Sequence, residues 1–249
     1  MSDFKANKAV LSCSGGLDSS CLLLKLLAEG KEVRCYSFNY GQKHAIELEK
    51  IKRNIKFLQD KGLPVEHQIV NVVDIFSDNT SSLVASTGKD IPHGHYAAEN
   101  MKSTVVPLRN VIFSAIVYSK AINWAVECGE NVMISLGIHA GDHTIYPDCR
   151  PESHEACKHA FEISDWNSDK VDYEAPFVNI DKGEVLTVGL NAMKQLQFSN
   201  EDRDYFLSNT HTCYDPDSEG RSCGKCGSCT ERLEAFAKNG LVDPIPYQD

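Results

Sequence analysis

The sequence predicts an α/β protein with a doubly wound parallel sheet. Three observations carry this. Apolar strand-like runs alternate with helix-like runs from the first residues, as in Ala9-Val10-Leu11 followed by Cys21-Leu22-Leu23-Leu24. A glycine turn, Ser14-Gly15-Gly16, joins the first strand to the first helix, the place where such sheets hold ligands. Four cysteines, Cys213, Cys223, Cys226 and Cys229, cluster near the end of the chain. They divide it into an α/β domain over 1–200 and a metal-tied C-terminal appendage over 201–249, packed on that domain.

The elements follow in order. A strand is expected over 8–13 and a helix over 18–29, ended by Glu29-Gly30-Lys31. A second strand covers 32–38, and Asn39-Tyr40-Gly41-Gln42 turns at its carboxyl end. Residues 43–60 form an amphipathic helix, because Ile46, Ile51, Ile55 and Leu58 fall on one stripe. Lys61-Gly62-Leu63-Pro64 stops it, and 65–72 is the third strand. Residues 74–104 are polar and punctuated, with Ser77-Asp78-Asn79-Thr80-Ser81-Ser82 and Pro92-His93-Gly94-His95. They read as a long excursion serving as a lid or a dimer contact. Pro107 breaks the chain before a helix over 111–126 and a fourth strand over 131–136. Residues 137–154, rich in Gly, His and Asp, read as a loop at the ligand end. A helix over 179–195 has Asp181 as its cap, and a short helix over 231–238 closes the pattern.

Composition bounds the function. At 249 residues with 42% hydrophobic and 24% charged residues, the chain suits a soluble globular protein. The longest apolar stretch is short and broken by Lys25, so no membrane partner is expected. The first eight residues lack a secretory pattern, and a cytoplasmic location follows as the expectation. Lys and Arg are outnumbered 25 to 35, for a net charge of −10, and form no block. This disfavours direct nucleic-acid contact and favours a small-molecule substrate. Ten cysteines without a signal peptide do not read as disulfides. Six are scattered (Cys13, Cys21, Cys35, Cys128, Cys149, Cys157) and read as small buried hydrophobes.

The glycine turn carries the first chemical signal. Strand, glycine turn and helix bring free N–H groups and a positive dipole end to a phosphate. Ser14, Ser19 and Ser20 add hydroxyls. The turn holds no lysine, so it is not a Walker A loop. Ser14-Gly15-Gly16-Leu17-Asp18-Ser19 instead resembles the loop of ATP pyrophosphatases, which cut ATP between the α and β phosphates. The plain alternative is a tight turn with Asp18 or Ser19 as a helix cap.

The cysteine spacing, Cys213-x9-Cys223-x2-Cys226-x2-Cys229, suits a closed tetrahedral zinc site. Such a site adds stability on the scale of roughly 10 kcal/mol. An iron–sulfur cluster and a redox dithiol are the rivals. His211 reads as lying beside the ligands or on the surface. Arg109, after a proline turn, suits a bidentate clamp on carboxylate or phosphate. In Tyr146-Pro147-Asp148-Cys149-Arg150-Pro151, an acid, a thiol and a base stand between two prolines. Asp148 and Arg150 suit recognition of a heterocycle, and Cys149 is a candidate nucleophile. His139, Asp142 and His143 are candidates for a second metal site, or solvated loop residues.

Together these segments resemble the 7-cyano-7-deazaguanine synthase family. The resemblance runs through Ser14–Ser19, Tyr40-Gly41-Gln42, Val106-Pro107-Leu108-Arg109-Asn110, Tyr146-Pro147-Asp148-Cys149-Arg150, Asp181-Lys182, and Thr212-Cys213-Tyr214 leading into the cysteine cluster. It implies a PP-loop ATPase fold of the adenine-nucleotide-hydrolase-like type, in a homodimer. It implies ATP, ammonia and a 7-deazaguanine carboxylic acid as reactants, Mg2+ with ATP, and one structural Zn2+ per chain. ATP would adenylate the carboxylate, ammonia would give the amide, and a second ATP would activate the amide for loss of AMP to the nitrile. The resemblance also implies site residues. The ATP loop would comprise Cys13, Ser14, Gly15, Gly16, Leu17, Asp18, Ser19, Ser20, Cys21, Leu22 and Leu23. Catalysis would fall to Ser14, Asp18, Ser19, Arg109 and Lys182. Tyr40, Gln42, Arg109, Asp148 and Arg150 would bind substrate, and Cys213, Cys223, Cys226 and Cys229 the metal.

The chain departs from the family pattern in three places: Asn39 before Tyr40, the loop Gly141-Asp142-His143-Thr144-Ile145, and Ser153. A divergent member that stops at the amide is therefore one competing expectation. Others are a tRNA-modifying adenylating or sulfur-transfer enzyme and a non-enzymatic zinc-ribbon module. A glutaminase domain has no room in the chain.

Overall fold

Five strands run parallel: β1 (Lys8–Ser12), β2 (Glu32–Asn39), β3 (Val65–Asn71), β4 (Val132–Leu136) and β5 (Val171–Glu174). In this computed structural model, which describes residues 4–94 and 99–248, they lie in the order β3-β2-β1-β4-β5. The chain winds outward from β1 through β2 to β3, then returns to the other side of β1. The direction of winding therefore reverses between β1 and β4, and that reversal opens a crevice at their carboxyl ends. The β1–β4 register ends at Ser12 opposite Leu136, so the glycine loop and Gly137 leave the sheet together.

Period-2 alternation assigns the two faces. Ala9, Leu11 and Cys13 face one core with α1 (Leu17–Ala28), α2 (Ile46–Asp60) and α5 (Lys182–Gln195). Val10, Tyr36 and Phe38 face the other with α3 (Arg109–Cys128). α1 is buried nearly all round, with Leu17, Leu22, Leu23, Leu24 and Leu26 at 0% exposure. Each such leucine contributes about 1.5–3 kcal/mol by burial, so α1 is a fixed platform for the loop before it.

Three elements depart from the sequence reading. The short edge strand β5 was not anticipated. α4 (Pro151–Glu162) replaces the end of the expected loop, starting with a proline at its first position. α6 (Asn200–Ser208) is closed by a capping box between Ser199 and Asp202. The stretch Asn100–Cys128 is long and apolar enough by composition to cross a membrane, a longer apolar run than the sequence reading allowed. Its helical part is a core helix, with Val117, Ala121 and Ala125 at 0% exposure against the sheet.

The excursion after β3 folds back on the carboxyl end of β2. Leu83 and Val84 are buried, and Val84 forms an antiparallel bridge with Gln42. Residues 95–98, including His95 of the Pro-His-Gly-His stretch, lie outside the described residues. The last helix, α7 (Gly227–Lys238), sends Ala235 and Phe236 into the α1–α5 core.

Candidate active site

The crevice opens at the carboxyl ends of β1 and β4, with a cavity of about 190 Å³ at its centre. Ser14, Gly16, Asp18 and Ser19 line one end. Gly15 has φ +89°, and a Cβ there would sit 2.7 Å from the Glu47 carbonyl, so only glycine fits. Neither Asp18 nor Ser19 caps α1. Gly16 is the cap residue and no side chain accepts there. Ser14 Oγ accepts from Gly16 N at 3.2 Å, and Ser19 Oγ donates to Gly16 O at 3.3 Å. The first N–H groups of α1 thus stay available to an anion. Of the other loop residues, Cys13, Leu17, Ser20, Cys21, Leu22 and Leu23 are buried and anchor the turn.

A cage of charges stands beside Asp18. Lys182, at the start of α5, places Nζ 3.5 Å from Asp18 Oδ2 and 3.1 Å from Glu231 Oε2. Burial works against its charge, but Asp18, Glu231 and Asp142 outweigh burial and hold the amine above its ordinary value. Lys182 is therefore a standing cation at the glycine-loop end of the crevice. It reaches that point because Asp181 and Glu184 close a capping box that sets the first turn of α5. His139, 1% exposed, points Nε2 to 3.8 Å from Asp18, 3.6 Å from Asp142 and 3.9 Å from Glu231. Its Nδ1 accepts from Gly141 N at 3.0 Å. Among the described residues, only the four cysteines sit close enough together to hold a metal ion, so His139, Asp142 and His143 do not assemble a second one.

The other end of the crevice is aromatic and cationic. Leu108 adopts φ +54° just before α3, a left-handed turn costing about 1–2 kcal/mol for a non-glycine residue. It aims Arg109 into the crevice. Arg109 Nη1 donates to Tyr40 Oη at 3.2 Å, and no carboxylate among the described residues lies within ion-pair distance of it. Its charge is thus open to an anionic ligand. His44, Glu47 and His211 line the same region. Burial, then His211 and Arg109, push His44 down to about 3. Burial pushes Glu47 up to about 8, against the Gln42 hydrogen bond and Arg109. His211 is buried on the crevice wall rather than at the surface, and its N–H donates to Gly15 O at 2.8 Å.

The remaining expected residues sit behind the wall. Gln42 is 3% exposed and braces the turn, with Nε2 donating to Phe38 O and Glu47 Oε1 while Oε1 accepts from Tyr40 N. Asp148 Oδ2 accepts from Asn110 N at 3.0 Å, fastening the start of α3 beside Arg109. Arg150 Nε donates to the His143 carbonyl at 2.9 Å. Cys149 lines the crevice, but burial, with Asp142 and Asp148 nearby, pushes its thiol well up, so it is no thiolate nucleophile at neutral pH. Asn39 Oδ1 accepts from Gly41 N at 3.2 Å, a local turn bond that an aspartate makes equally well.

The four cysteine sulfurs lie within 4.8 Å of one another, and Cys223 Sγ is 4.0 Å from Cys229 Sγ. A single tetrahedral zinc with Zn–S of about 2.3 Å spaces its sulfurs at about 3.8 Å. A cubane cluster holds its thiolates farther apart. Backbone N–H groups of Asp215 and Cys223 donate to Cys213 Sγ, and those of Lys225 and Cys226 donate to Cys223 Sγ. Four buried sulfurs, two of them accepting from backbone amides, fit one metal ion such as zinc.

His44 and Glu47, which line the crevice, and Glu231, which pairs there with Lys182, are not named by the sequence reading. Each stands at an ordinary polar position of a helix or turn, and only the tertiary fold brings it to the crevice.

A parallel sheet with its winding reversal over an uncapped, lysine-free glycine loop defines a nucleotide-binding protein of the PP-loop ATPase class. The model of the family described as Queuosine biosynthesis protein QueC matches residues 8–240, and the chain belongs to that family. It is 39% identical over 241 residues to the 7-cyano-7-deazaguanine synthase of Methanoregula boonei, covering 97% of this chain and 99% of that protein. It is 41% identical over 247 residues to the 7-cyano-7-deazaguanine synthase 1 of Colwellia psychrerythraea, covering 98% and 100%.

Proposed function

We infer that this chain converts 7-carboxy-7-deazaguanine and ammonia to 7-cyano-7-deazaguanine at the expense of ATP. The observation that carries the reading is the joint placement, on one crevice in a chain of this family, of an open glycine loop, the cation Lys182 and Arg109, which has no carboxylate at ion-pair distance among the described residues. Ser14, Ser19 and the first N–H groups of α1 bind the β and γ phosphates and stabilise their charge as pyrophosphate leaves. Lys182 neutralises the same charge. Arg109 orients the substrate carboxylate toward the α phosphate, and Tyr40 fixes the guanidinium. Asp148 and Arg150 act by holding the turn beside Arg109.

Magnesium accompanies ATP in this reading. Asp18 Oδ1, buried and without a hydrogen-bond partner among the described residues, is a hard oxygen donor that would hold it together with phosphate oxygens. Bound there, the ion supplies phosphate charge neutralisation. The cysteine site takes zinc and ties the appendage, 201–249, to the catalytic domain, 1–200. A homodimer and a cytoplasmic location complete the proposal.

Incubation with 7-carboxy-7-deazaguanine, ATP and ammonium, followed by mass measurement of the product, tests the reading. The nitrile is expected as the end product. Accumulation of the amide alone places this chain with a divergent, amide-forming activity. Asp18→Ala is expected to abolish pyrophosphate release while the protein stays folded with zinc bound.

A further inference from the structure

Resting on that functional reading, we propose that His139 is a positioning residue. It turns the Asp18 carboxylate so that Oδ1 is presented to the cation that accompanies ATP. His139 is 1% exposed and stands behind the crevice wall, which Asp18, Asp142 and Lys182 line. It therefore acts on the site through its neighbours.

The turn around it fixes which nitrogen carries the proton. Gly141 N donates to Nδ1 at 3.0 Å, so Nδ1 holds a lone pair and the ring proton sits on Nε2. A Cβ on Gly141 would lie 2.7 Å from His139 Cε1 and 2.5 Å from Glu231 Oε1, so only glycine brings its N–H this close to the ring. An Nε2 that carries the proton has no lone pair for a metal ion. His139 is thus a donor beside the carboxylates rather than a ligand among them.

That donor faces three oxygens. Nε2 is 3.6 Å from Asp142 Oδ2, 3.8 Å from Asp18 Oδ2 and 3.9 Å from Glu231 Oε2. Each distance is too long for a hydrogen bond, and among the described residues Nε2 has no partner. A buried N–H without a partner is costly, and a small rotation of one carboxylate satisfies it. Contacts of this kind are often long in the free protein and tighten in the complex.

The two oxygens of Asp18 differ in their surroundings. Lys182 Nζ at 3.5 Å and His139 Nε2 at 3.8 Å both face Oδ2. Oδ1 is buried and has no hydrogen-bond partner among the described residues. Donors gathered on one oxygen set the orientation of the carboxylate and leave the other oxygen to a ligand. Lys182 lies closer to Glu231, at 3.1 Å, so the imidazole supplies the donor that belongs to Asp18.

Two substitutions separate this role from capping of the turn. His139→Asn keeps an acceptor for Gly141 N and removes the donor at the Nε2 position. His139→Gln keeps an N–H near that position and gives up the acceptor. The whole, zinc-loaded protein and both variants are titrated with Mn2+ in the presence of α,β-methylene-ATP, and bound Mn2+ is read by electron paramagnetic resonance. His139→Asn is expected to weaken Mn2+ binding on the order of 10-fold, while His139→Gln stays within about 3-fold of the unsubstituted protein. Acid-dependent exchange of pyrophosphate into ATP should need correspondingly more Mg2+ in His139→Asn, with the rate at saturating Mg2+ little changed. Equal Mn2+ affinity in all three proteins, equal losses in both variants, or a loss in His139→Gln alone overturns the role. Should His139→Asn fail to fold, proton NMR of the unsubstituted protein decides. The imidazole N–H signal of His139 is expected to move downfield when Mg2+ and the analogue bind, and an unmoved signal overturns the role. Absence of exchange in the unsubstituted protein overturns the functional reading itself, whereas normal exchange with equal Mn2+ affinities overturns this proposal alone.

Discussion

Glu231 Oε2 lies 3.1 Å from Lys182 Nζ, so the helix that begins at the cysteine cluster grips the lysine beside the glycine loop. Glu231 stands two residues after Cys229 and Lys182 opens α5. One ion pair thereby links the cysteine cluster to the glycine-loop end of the crevice. The pair is largely buried, with side-chain exposures of 6% and 20%, so its loss leaves a misplaced charge rather than a hydrated one. Glu231→Ala is expected to reduce pyrophosphate exchange about 10- to 100-fold. Glu231→Gln, which can still accept from the lysine, should fall between that and the unsubstituted protein. Equal exchange in all three proteins would show that Lys182 needs no such partner.

Removal of the metal should unfold more than the appendage. The four cysteines are packed in the same core as β2, α3 and β4. Arg232, at 0% exposure, binds Asp243 through Nε and Nη2 and donates to Thr210 and Thr212 on the segment that carries His211. A structural zinc contributes roughly 10 kcal/mol, which for a domain of this size corresponds to a fall in Tm on the order of 20 °C. Calorimetry before and after chelation, with zinc content measured in parallel, checks this. A Tm unmoved by loss of one equivalent of zinc would contradict it.

Glu47 sets a slope of stability with pH. Its folded carboxyl is pushed up to about 8 from an ordinary 4.5. The folded state therefore binds the proton more tightly, and this contribution is complete below the unfolded value and lost as pH rises through 8. His44 acts in the opposite sense. Lowered to about 3 from 6.5, it stays neutral in the fold, so its contribution is lost as pH falls from 6.5 toward 3. Between pH 6 and pH 8 the unsubstituted protein should lose about 2 kcal/mol relative to Glu47→Gln. Urea unfolding of both proteins at the two pH values measures the difference. Parallel behaviour would mean that Glu47 is ionised in the fold throughout.

What was legible in the sequence is what local physics encodes. The glycine loop, the first three strands and the amphipathic α2 follow from turn chemistry and periodicity, and Asp181 was readable as a cap. The cysteine spacing suited a closed metal site, with an iron–sulfur cluster and a redox dithiol as rivals, and the fold gathers the four sulfurs closely enough to hold one ion. β5 was hidden because four residues at a sheet edge, Val171–Glu174, hardly alternate long enough to register. α4 was hidden by Pro151 and His154, which punctuate like a loop while the proline in fact starts the helix. α6 carried a readable signal in Ser199 and Asp202, the two partners of its capping box. The cage around Lys182 was illegible for a different reason. Asp18, His139, Lys182 and Glu231 come from four separate segments, and only the winding reversal brings them together. Asp148 sits beside the start of α3, where its Oδ2 accepts from Asn110 N, a contact that the prolines flanking its turn did not signal.

The most direct test of the synthase reading is the ratio of AMP formed to 7-carboxy-7-deazaguanine consumed with ammonium in excess. Activation of the acid and then of the amide requires two AMP and two pyrophosphate for each nitrile. A ratio of two, with nitrile as product, is the expected result. A ratio of one with the amide as the final product, or AMP release independent of the deazaguanine acid, would contradict it.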